Sequence, residues 1–172
     1  DNAGAITGWS TTNASNGAWQ DGVKTANDPC PAGFRVPTKV QWDGVSNSSV
    51  NPRTFIGTWN TSSTNYSSGI RFGSSLFLPA AGHRFSGGGS LFIRGSNGYY
   101  WSSTESGSSA QLLYFVSNSV ATSPLSRTDG FSLRCIAEEP VLPAGTISSL
   151  NCAGTSFTGN LTVNTPANGL IA

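Results

Sequence analysis

The pattern of hydrophobic and polar positions predicts one short helix early in the chain. Thr38 has the properties of an N-cap, and Gln41, three residues later, completes a capping box. Trp42 and Val45 fall on the same face of that helix, which gives it a short apolar stripe. The Ser and Asn residues that follow Gly44 indicate that the helix ends by about residue 48.

The strand signals lie later in the chain. Residues 70–78 are typical of a strand pair or one bent strand, and residues 90–94 and 99–104 are typical of shorter strands. The nearly continuous apolar run at 111–116 predicts a central strand that is covered on both faces. Apolar and polar residues alternate over 131–135, which predicts a last strand with one buried face.

Polar, turn-rich segments separate these elements. Residues 1–27 predict an irregular arm or edge strand that inserts Trp9 and Trp19 into the domain. Residues 47–69 predict a long loop, and the glycines at 87–89 predict a hairpin tip that needs positive φ. One early helix followed by several antiparallel strands, in a loop-rich chain, is an α+β fold.

The composition changes after residue 138. Two prolines within 139–145 predict a linker. Residues 146–172 contain two short β segments and are too few to form a core alone. They are predicted to begin a β-rich domain; the alternative is a tail that lends a strand to a neighbouring chain. Residues 1–138 are therefore predicted to form one domain.

The charge pattern limits the classes of partner. Only 10% of the 172 residues are charged, and the net charge is +1. The basic residues are scattered rather than grouped in a stripe, which argues against nucleic-acid binding. No run of about 18 apolar residues occurs, so no membrane span is predicted.

The three cysteines have no CxxC spacing, so they do not predict a zinc site. If Cys30 and Cys135 are bridged, they close a loop of about 105 residues, which is expected to stabilise the fold strongly. A disulfide in turn implies an oxidising compartment. The alternative is a pair of buried free thiols. Cys152 is left over, which fits a partner that lies beyond the end of this chain.

Four blocks of this sequence resemble the Fibrobacter succinogenes major paralogous domain. The blocks are residues 28–38 with Trp42, 78–82, 98–104 and 130–135. The resemblance implies a C-type-lectin-like fold and a location in secreted or surface proteins of Bacteroidota and Fibrobacteres, but it implies no known reaction. The residues of these blocks that are assigned structural roles are Arg35, Trp42, Trp101 and Arg134.

A calcium site of the lectin type is not predicted. Sugar-binding C-type lectins hold Ca²⁺ with a Trp-Asn-Asp motif, which Trp101-Ser102-Ser103 resembles with serines in place of the ligands. Glu105 is the only acid nearby, whereas Ca²⁺ takes about six to eight oxygen ligands. His83 is the only histidine, which excludes a histidine metal cluster.

The candidate enzyme sites are weak, and neither an enzyme nor a cofactor is predicted. The start of the helix also resembles the formylglycine-generating-enzyme group, which uses two reactive cysteines and copper, but Cys30 and Cys135 fit a structural bridge better. A Ser-His-Asp triad would need His83, which lies between a glycine and an arginine beside a hairpin. The eight acids show no glycosidase pairing.

Aromatic residues in loops rich in Ser, Asn and Gly predict a ligand surface, because rigid rings among adaptable polar groups suit recognition. The alternative is that these rings fill the core. The candidate residues are Tyr66, Phe85, Phe92, Tyr99, Tyr100 and Glu105.

The function that the sequence favours is a non-enzymatic extracellular module of a large secreted or cell-surface protein. Its predicted partners are a glycan or a surface protein, together with adjacent β repeats of the same polypeptide, because the tail from Gly145 is similar to β-rich repeats of Flavobacterium surface proteins. The alternative is a structural spacer or assembly unit of a surface filament, or an exported substrate fragment of the type IX secretion pathway. A hydrolase appendage is a third option.

Overall fold

The computed structural model describes residues 3–138, which form one helix and ten strands. The elements in chain order are β1 (Phe34–Arg35), α1 (Lys39–Ser46), β2 (Arg53–Ile56), β3 (Gly69–Phe72), β4 (Leu76–Pro79), β5 (His83–Arg84), β6 (Leu91–Phe92), β7 (Gly98–Ser106), β8 (Ser109–Val116), β9 (Ser119–Ser126) and β10 (Ile136–Ala137). The predicted linker at 139–145, the β-rich tail at 146–172 and Cys152 lie outside the described residues.

The strands form four small sheets, and every ladder in them is antiparallel. The sheets are β1-β10, β2-β3-β4, β5-β6 and β7-β8-β9. The α+β class is therefore confirmed in its coarse form, as a mostly antiparallel β structure with one short helix. Within the described residues no helix has the length and apolarity needed to cross a membrane.

The predicted helix and its capping box are confirmed. The Thr38 side chain accepts a hydrogen bond from the Gln41 backbone, and Gln41 Oε1 accepts one from the Thr38 backbone N–H at 2.9 Å. Buried Arg35 donates to the same Gln41 oxygen at 3.0 Å, which links β1 to the helix. The helix ends at Ser46, within the predicted bound.

The sheet β7-β8-β9 is covered on both faces, as predicted for the run at 111–116. On one face lies the main core, which consists of Trp42, Ile70, Phe72, Leu78, Ala80, Tyr100, Leu113 and Phe115. On the other face lies a second cluster, which consists of Tyr99, Trp101 and Leu112 with Trp19, Ile93, Ala110, Tyr114, Phe131 and Leu133 packed against it. Since β8 pairs with both neighbours, its prediction as the central strand is confirmed.

Two predictions of local structure are wrong. The segment 47–69 is not all loop, because it contains β2, which pairs with β3 through Phe55 and Ile70. The segment 131–135 is not a strand, since only Ser132 bonds to the sheet, through Tyr99 O and the Trp101 backbone N–H, both at 3.0 Å. The edge of β7 that does not pair with β8 bonds to two different segments: Ser132 bonds to Tyr99 and Trp101, and the next N–H along this edge, at Ser103, donates to Pro37 O. The segment 131–135 therefore cannot extend its pairing with β7 past Trp101.

The Gly98→Ala substitution is expected to lower the free energy of unfolding by about 1–3 kcal/mol, because it overpacks a fully buried site. Gly98 pairs with Phe115 across β7 and β8, and an added Cβ would lie 2.0 Å from that ring. Denaturant unfolding measures the change. The matched control is Gly44→Ala on the exposed face of α1, where nothing lies within 4 Å of the new Cβ. The control is expected to stabilise the fold by about 0.5–1 kcal/mol, and a Gly98→Ala variant that matches it would contradict the packing argument.

Tyr100 makes the stability of the fold sensitive to alkaline pH. Its hydroxyl donates to Pro79 O at 2.9 Å, and burial raises the pKa of Tyr100 to about 12 from 10.0. Because the pKa is higher in the folded chain, the stabilisation is complete below pH 10 and is lost as the pH rises towards 12, by at most about 1.4 kcal/mol per pH unit. Unfolding measured at a series of alkaline pH values tests this.

The control for this titration is Tyr100→Phe, which removes the titrating group. We expect the variant to show a shallower fall in stability between about pH 10 and 12. Burial also raises the pKa of Tyr99, so part of the slope remains in the variant. A slope that does not change in Tyr100→Phe would contradict the assignment to this ring.

Candidate ligand-binding pocket

A cavity of about 530 Å³ lies between the N-terminal arm, residues 3–27, and one end of the sheet β7-β8-β9. This arm pocket has a volume typical of sites for small ligands. The arm contributes residues 14–19 and Asn27. The opposite wall consists of Trp101, Ser102, Ser103, Glu105, Ala110 and Arg127.

Two charged side chains at the end of the sheet hold the arm in place. Arg127 donates to Asn16 Oδ1 at 2.7 Å, and Glu105 accepts a hydrogen bond from the Gly17 backbone at 2.6 Å. The two side chains also pair with each other at 3.7 Å. The wall of the pocket is therefore fixed by charge-assisted hydrogen bonds, and the charges of Glu105 and Arg127, the two charged residues of the lining, balance each other.

A second anchor fixes the arm beside the pocket. The carboxylate of Asp21 accepts a hydrogen bond from the Ser103 hydroxyl at 2.7 Å and from the Thr104 hydroxyl at 2.8 Å. Ser102 donates to Gln111 O at 2.8 Å, so its hydroxyl bonds to backbone, as expected for a structural serine. Both serines of the Trp101-Ser102-Ser103 segment therefore have hydrogen-bond partners within the domain.

Trp19 and Trp101 form an aromatic corner in the arm pocket. Their ring centroids are 6.4 Å apart, and the rings are nearly perpendicular at 83°. The indole N–H of Trp19 donates to Asn27 O at 2.8 Å, which fixes the orientation of that ring. The prediction that the arm is irregular and inserts Trp19 into the domain is confirmed.

The indole N–H of Trp101 is a hydrogen-bond donor without a partner among the described residues. The corresponding groups of Trp9, Trp19 and Trp42 donate to backbone carbonyls, and that of Trp59 is buried without a partner. The Trp101 nitrogen is not among the buried unpaired atoms, so it is accessible, and Trp101 lines the pocket. Trp101 is therefore a residue of the pocket lining that carries an accessible, unpaired donor.

The predicted ligand surface is not one surface. Tyr99 and Tyr100 are only 8% and 2% exposed, so the alternative that they fill the core is correct, and their place in the ligand surface is wrong. Both residues lie in β7, where both faces of the sheet are covered. The Asn-Gly turn that precedes them in the sequence does not indicate that they are buried. Glu105 lies in the arm pocket.

The other three candidates are exposed and lie outside the pocket lining. Phe85 and Phe92 contact each other across the β5-β6 hairpin, with ring centroids 5.4 Å apart. Tyr66 is 67% exposed, and the guanidinium of Arg94 lies 4.7 Å from the centre of its ring. These rings remain candidates for recognition, but they do not form a cavity with Glu105.

The residues that were assigned structural roles are placed in the interior. Trp42 is fully buried, and Trp101 is both part of the second cluster and part of the pocket wall. Arg35 is buried against the helix start, and partly buried Arg134 donates to Phe77 O at 3.4 Å. Cys30 and Cys135 form the predicted disulfide, so neither is a free thiol.

His83 is surrounded by aromatic rings rather than by catalytic partners. Its ring centroid lies 5.0 Å from that of Tyr99 and 5.6 Å from that of Phe131, and its Nδ1 is buried without a hydrogen bond. Burial lowers the pKa of His83, with a smaller opposing effect from Asp129. Within 3–138, no group of three or more His, Cys, Asp or Glu side chains is placed to hold a metal ion.

Sequence reasoning missed most of the arm pocket. Glu105 was the one residue of the lining that was proposed for a ligand, whereas Asn16, Asn27 and Arg127 were not singled out. Arg127 is separated from Asn16 by 111 positions, and no local pattern reports such a pairing. Among the arm residues that line the pocket, Trp19 was the only one that the sequence singled out, as an isolated ring in a polar segment.

Comparison with known families gives one match. The family model described as Domain of unknown function (DUF8237) matches residues 50–136, from just before β2 to the start of β10. The matched segment contains the sheet wall of the arm pocket but not the arm. No curated protein and no solved structure gives a significant match. Because just over half of the 172 residues are matched, this chain belongs to the DUF8237 family, a domain of unknown function.

Proposed function

We propose that this domain is a non-enzymatic recognition module of a secreted or cell-surface protein, and that it holds its ligand in the arm pocket. The observation that carries the proposal is the aromatic corner of Trp19 and Trp101 in a cavity of about 530 Å³ with polar groups around it. Apolar surface with a few placed polar groups is the usual composition of a ligand site. Adhesion to a glycan or to a surface protein is the role that fits such a site.

The disulfide supports the extracellular part of the proposal. Bridges of this kind persist in oxidising compartments and are rare in reducing ones. The Cys30–Cys135 bridge spans 105 positions and encloses all of the helix and strands except β10. A module of this kind occurs within a larger surface polypeptide, where adjacent β repeats are its proposed neighbours.

The contacts between the sequence blocks support a relationship to the Fibrobacter succinogenes major paralogous domain and a C-type-lectin-like fold. The first block reaches the third, because the Trp42 indole donates to Trp101 O at 2.9 Å and the Ser103 N–H donates to Pro37 O at 2.8 Å. The first and last blocks are joined by the disulfide. Blocks that resemble one family and that form one interior are expected to be the conserved framework of that family's fold.

The test applies the full oxidised chain, with a fluorophore at its N-terminus, to a glycan array and to an array of extracellular matrix and surface proteins. We expect binding on at least one array. Trp19→Ala is expected to weaken that binding by at least about 10-fold, because aromatic anchors in pockets dominate binding energies. The control is Val40→Ala, which shortens an exposed side chain on α1 outside the pocket lining and is expected to leave binding unchanged.

Two results would overturn the proposal. One is a folded chain that binds to neither array. The other is binding that is equal in the unsubstituted chain and in Trp19→Ala, since recognition would then occur elsewhere on the surface. Thermal unfolding of each variant shows whether the comparison is made between folded proteins.

A further inference from the structure

From the groups that line the arm pocket, we infer that its ligand is an uncharged saccharide residue and that binding needs no metal ion. This inference rests on the proposed function and specifies its ligand. A pyranose ring has an apolar face of C–H groups and a rim of hydroxyls, so it requires an aromatic surface, mixed donors and acceptors, and little net charge. The pocket supplies all three.

The aromatic requirement is met by the perpendicular pair of indoles. Because the rings of Trp19 and Trp101 meet at 83°, a flat ligand that stacks on one ring lies perpendicular to the other. The edge of Trp101 carries its unpaired, accessible N–H. A hydroxyl oxygen accepts such a hydrogen bond, whereas the ring of an aromatic side chain offers only its weaker π face.

The mixed donors and acceptors come from the arm. The hydroxyl of Ser15, Nδ2 of Asn16 and the side-chain amide of Asn27 make no hydrogen bonds to other described residues, and all three residues line the pocket. Amides and hydroxyls both donate and accept, as sugar hydroxyls do. The Ser15 hydroxyl and the Asn27 amide can therefore pair with a sugar hydroxyl in either direction, and Asn16 Nδ2 can donate to one, without a protonation change.

The charge around the pocket argues against an anionic ligand. Arg127 is the basic residue of the lining, and its side chain is only 9% exposed. Each of its nitrogens donates within the domain: Nε to Ser109 O at 3.0 Å, Nη1 to Asn16 Oδ1 at 2.7 Å and Nη2 to Gly107 O at 2.6 Å. A carboxylate or phosphate of a ligand would have to displace these bonds and then face Glu105.

The donor set also argues against a bridging cation. Ca²⁺ takes about six to eight oxygen ligands, several of them charged. Glu105 is the one carboxylate of the lining, and its two oxygens already accept from the Gly17 backbone and pair with Arg127. Sugar hydroxyls must then be recognised directly by side chains, rather than through a metal ion.

The experiment is a glycan array that holds neutral, sialylated and uronic-acid glycans, probed with the full oxidised chain in EDTA and in Ca²⁺. We expect binding to neutral glycans that is the same in both buffers. The free methyl glycoside of the terminal sugar of the best-bound glycan is then titrated as a competitor. Trp19→Ala is expected to weaken binding by at least about 10-fold, and Asn27→Ala by about 2–10-fold, as for loss of one neutral hydrogen bond.

A second variant separates binding from folding. Trp19→Phe keeps an aromatic ring and is expected to bind with an affinity between those of the unsubstituted chain and Trp19→Ala, whereas Val40→Ala, at an exposed position outside the pocket lining, is expected to bind normally. A preference for sialylated or uronic-acid glycans, or loss of binding in EDTA, overturns the inference. Trp19-dependent binding to the protein array alone overturns the saccharide ligand and leaves the proposed function standing. Absence of Trp19-dependent binding on both arrays overturns both.

Discussion

Replacing Cys30 and Cys135 by serine is expected to lower the free energy of unfolding by about 4–5 kcal/mol, which is the loop-closure value for a bridge that spans about 100 residues. The bridge spans 105 positions and joins the segment before β1 to the segment before β10, so the arm at residues 3–27 lies outside the loop that it closes. Apart from the bridge, these two segments are held together by the pairing of β1 with β10, which have only two residues each. Since ordinary domains are stable by about 5–15 kcal/mol, the variant is expected to be marginally folded.

The measurement is denaturant unfolding of the Cys30→Ser/Cys135→Ser chain against the oxidised chain. Both chains carry Cys152→Ser, so that no third thiol exchanges with the bridge. The dependence of the free energy on denaturant is expected to become steeper, because an unfolded chain without the bridge exposes more surface. An unfolding midpoint that is the same with and without the bridge would contradict the entropic argument, and would mean that packing alone holds the ends together.

The parts of this fold that could be predicted from the sequence depend on short-range signals. The capping box at Thr38 and Gln41 involves neighbours on one helical turn, so the residues alone specify it. The apolar run at 111–116 predicted the central strand because Leu112 and Leu113 face opposite sides of the sheet and both are buried. The bridge between Cys30 and Cys135 was predicted with two buried free thiols as the alternative, and the structure decides for the bridge.

The parts that could not be predicted depend on distant contacts. The edge strand β9 contains Pro124 and is rich in Ser and Thr, so its pairing with β8 has little intrinsic strand signal. The polar segment before β3 becomes a strand because Phe55 can pair with Ile70, at the edge of the main core. The residues of a segment do not indicate which sheet edge is free to pair with it. For the same reason the prediction of a strand at 131–135 was wrong.

The arm pocket is the clearest case of this limit. Its two walls come from residues 14–27 and from residues 101–127, and the bonds that join them span about 90–110 positions. Each residue looks ordinary in its own segment: an Asn among polar residues, a Glu at a strand end, an Arg in a turn. These residues form a pocket only because Glu105 and Arg127 bind the arm beside Trp101 in the folded chain.

Trp42→Ala is expected to lower the free energy of unfolding by about 3–5 kcal/mol, as for removal of a large aromatic side chain from a packed core. Trp42 is fully buried between α1 and the sheet, and its ring meets that of Tyr100 edge-on at a centroid distance of 6.2 Å. The substitution leaves a cavity in the main core. It also removes the only side-chain donor to Trp101 O among the described residues, a bond of 2.9 Å.

Denaturant unfolding measures this loss of stability. Two other variants on the same helix serve as comparisons. Trp42→Phe keeps most of the packing but lacks the N–H, so we expect an intermediate loss of about 1–2 kcal/mol. Val40→Ala alters a side chain that is 76% exposed, and it is expected to change stability by no more than about 0.5 kcal/mol. A Trp42→Ala chain as stable as Val40→Ala would show that the helix does not close the core.

The position of Trp42 also separates folding from recognition. Trp42 packs on the face of β7 that carries the main core, whereas Trp19 packs with the second cluster on the opposite face, beside the arm pocket. The part of the Trp42→Ala chain that remains folded is expected to lose less ligand affinity than Trp19→Ala, because Trp42 lies outside the pocket lining and contacts the pocket wall through the backbone carbonyl of Trp101. Trp19→Ala is expected to show the reverse, with a small change in stability and a large loss of binding. Equal losses of binding in the two variants would mean that the pocket depends on the core and is not a site held by the arm.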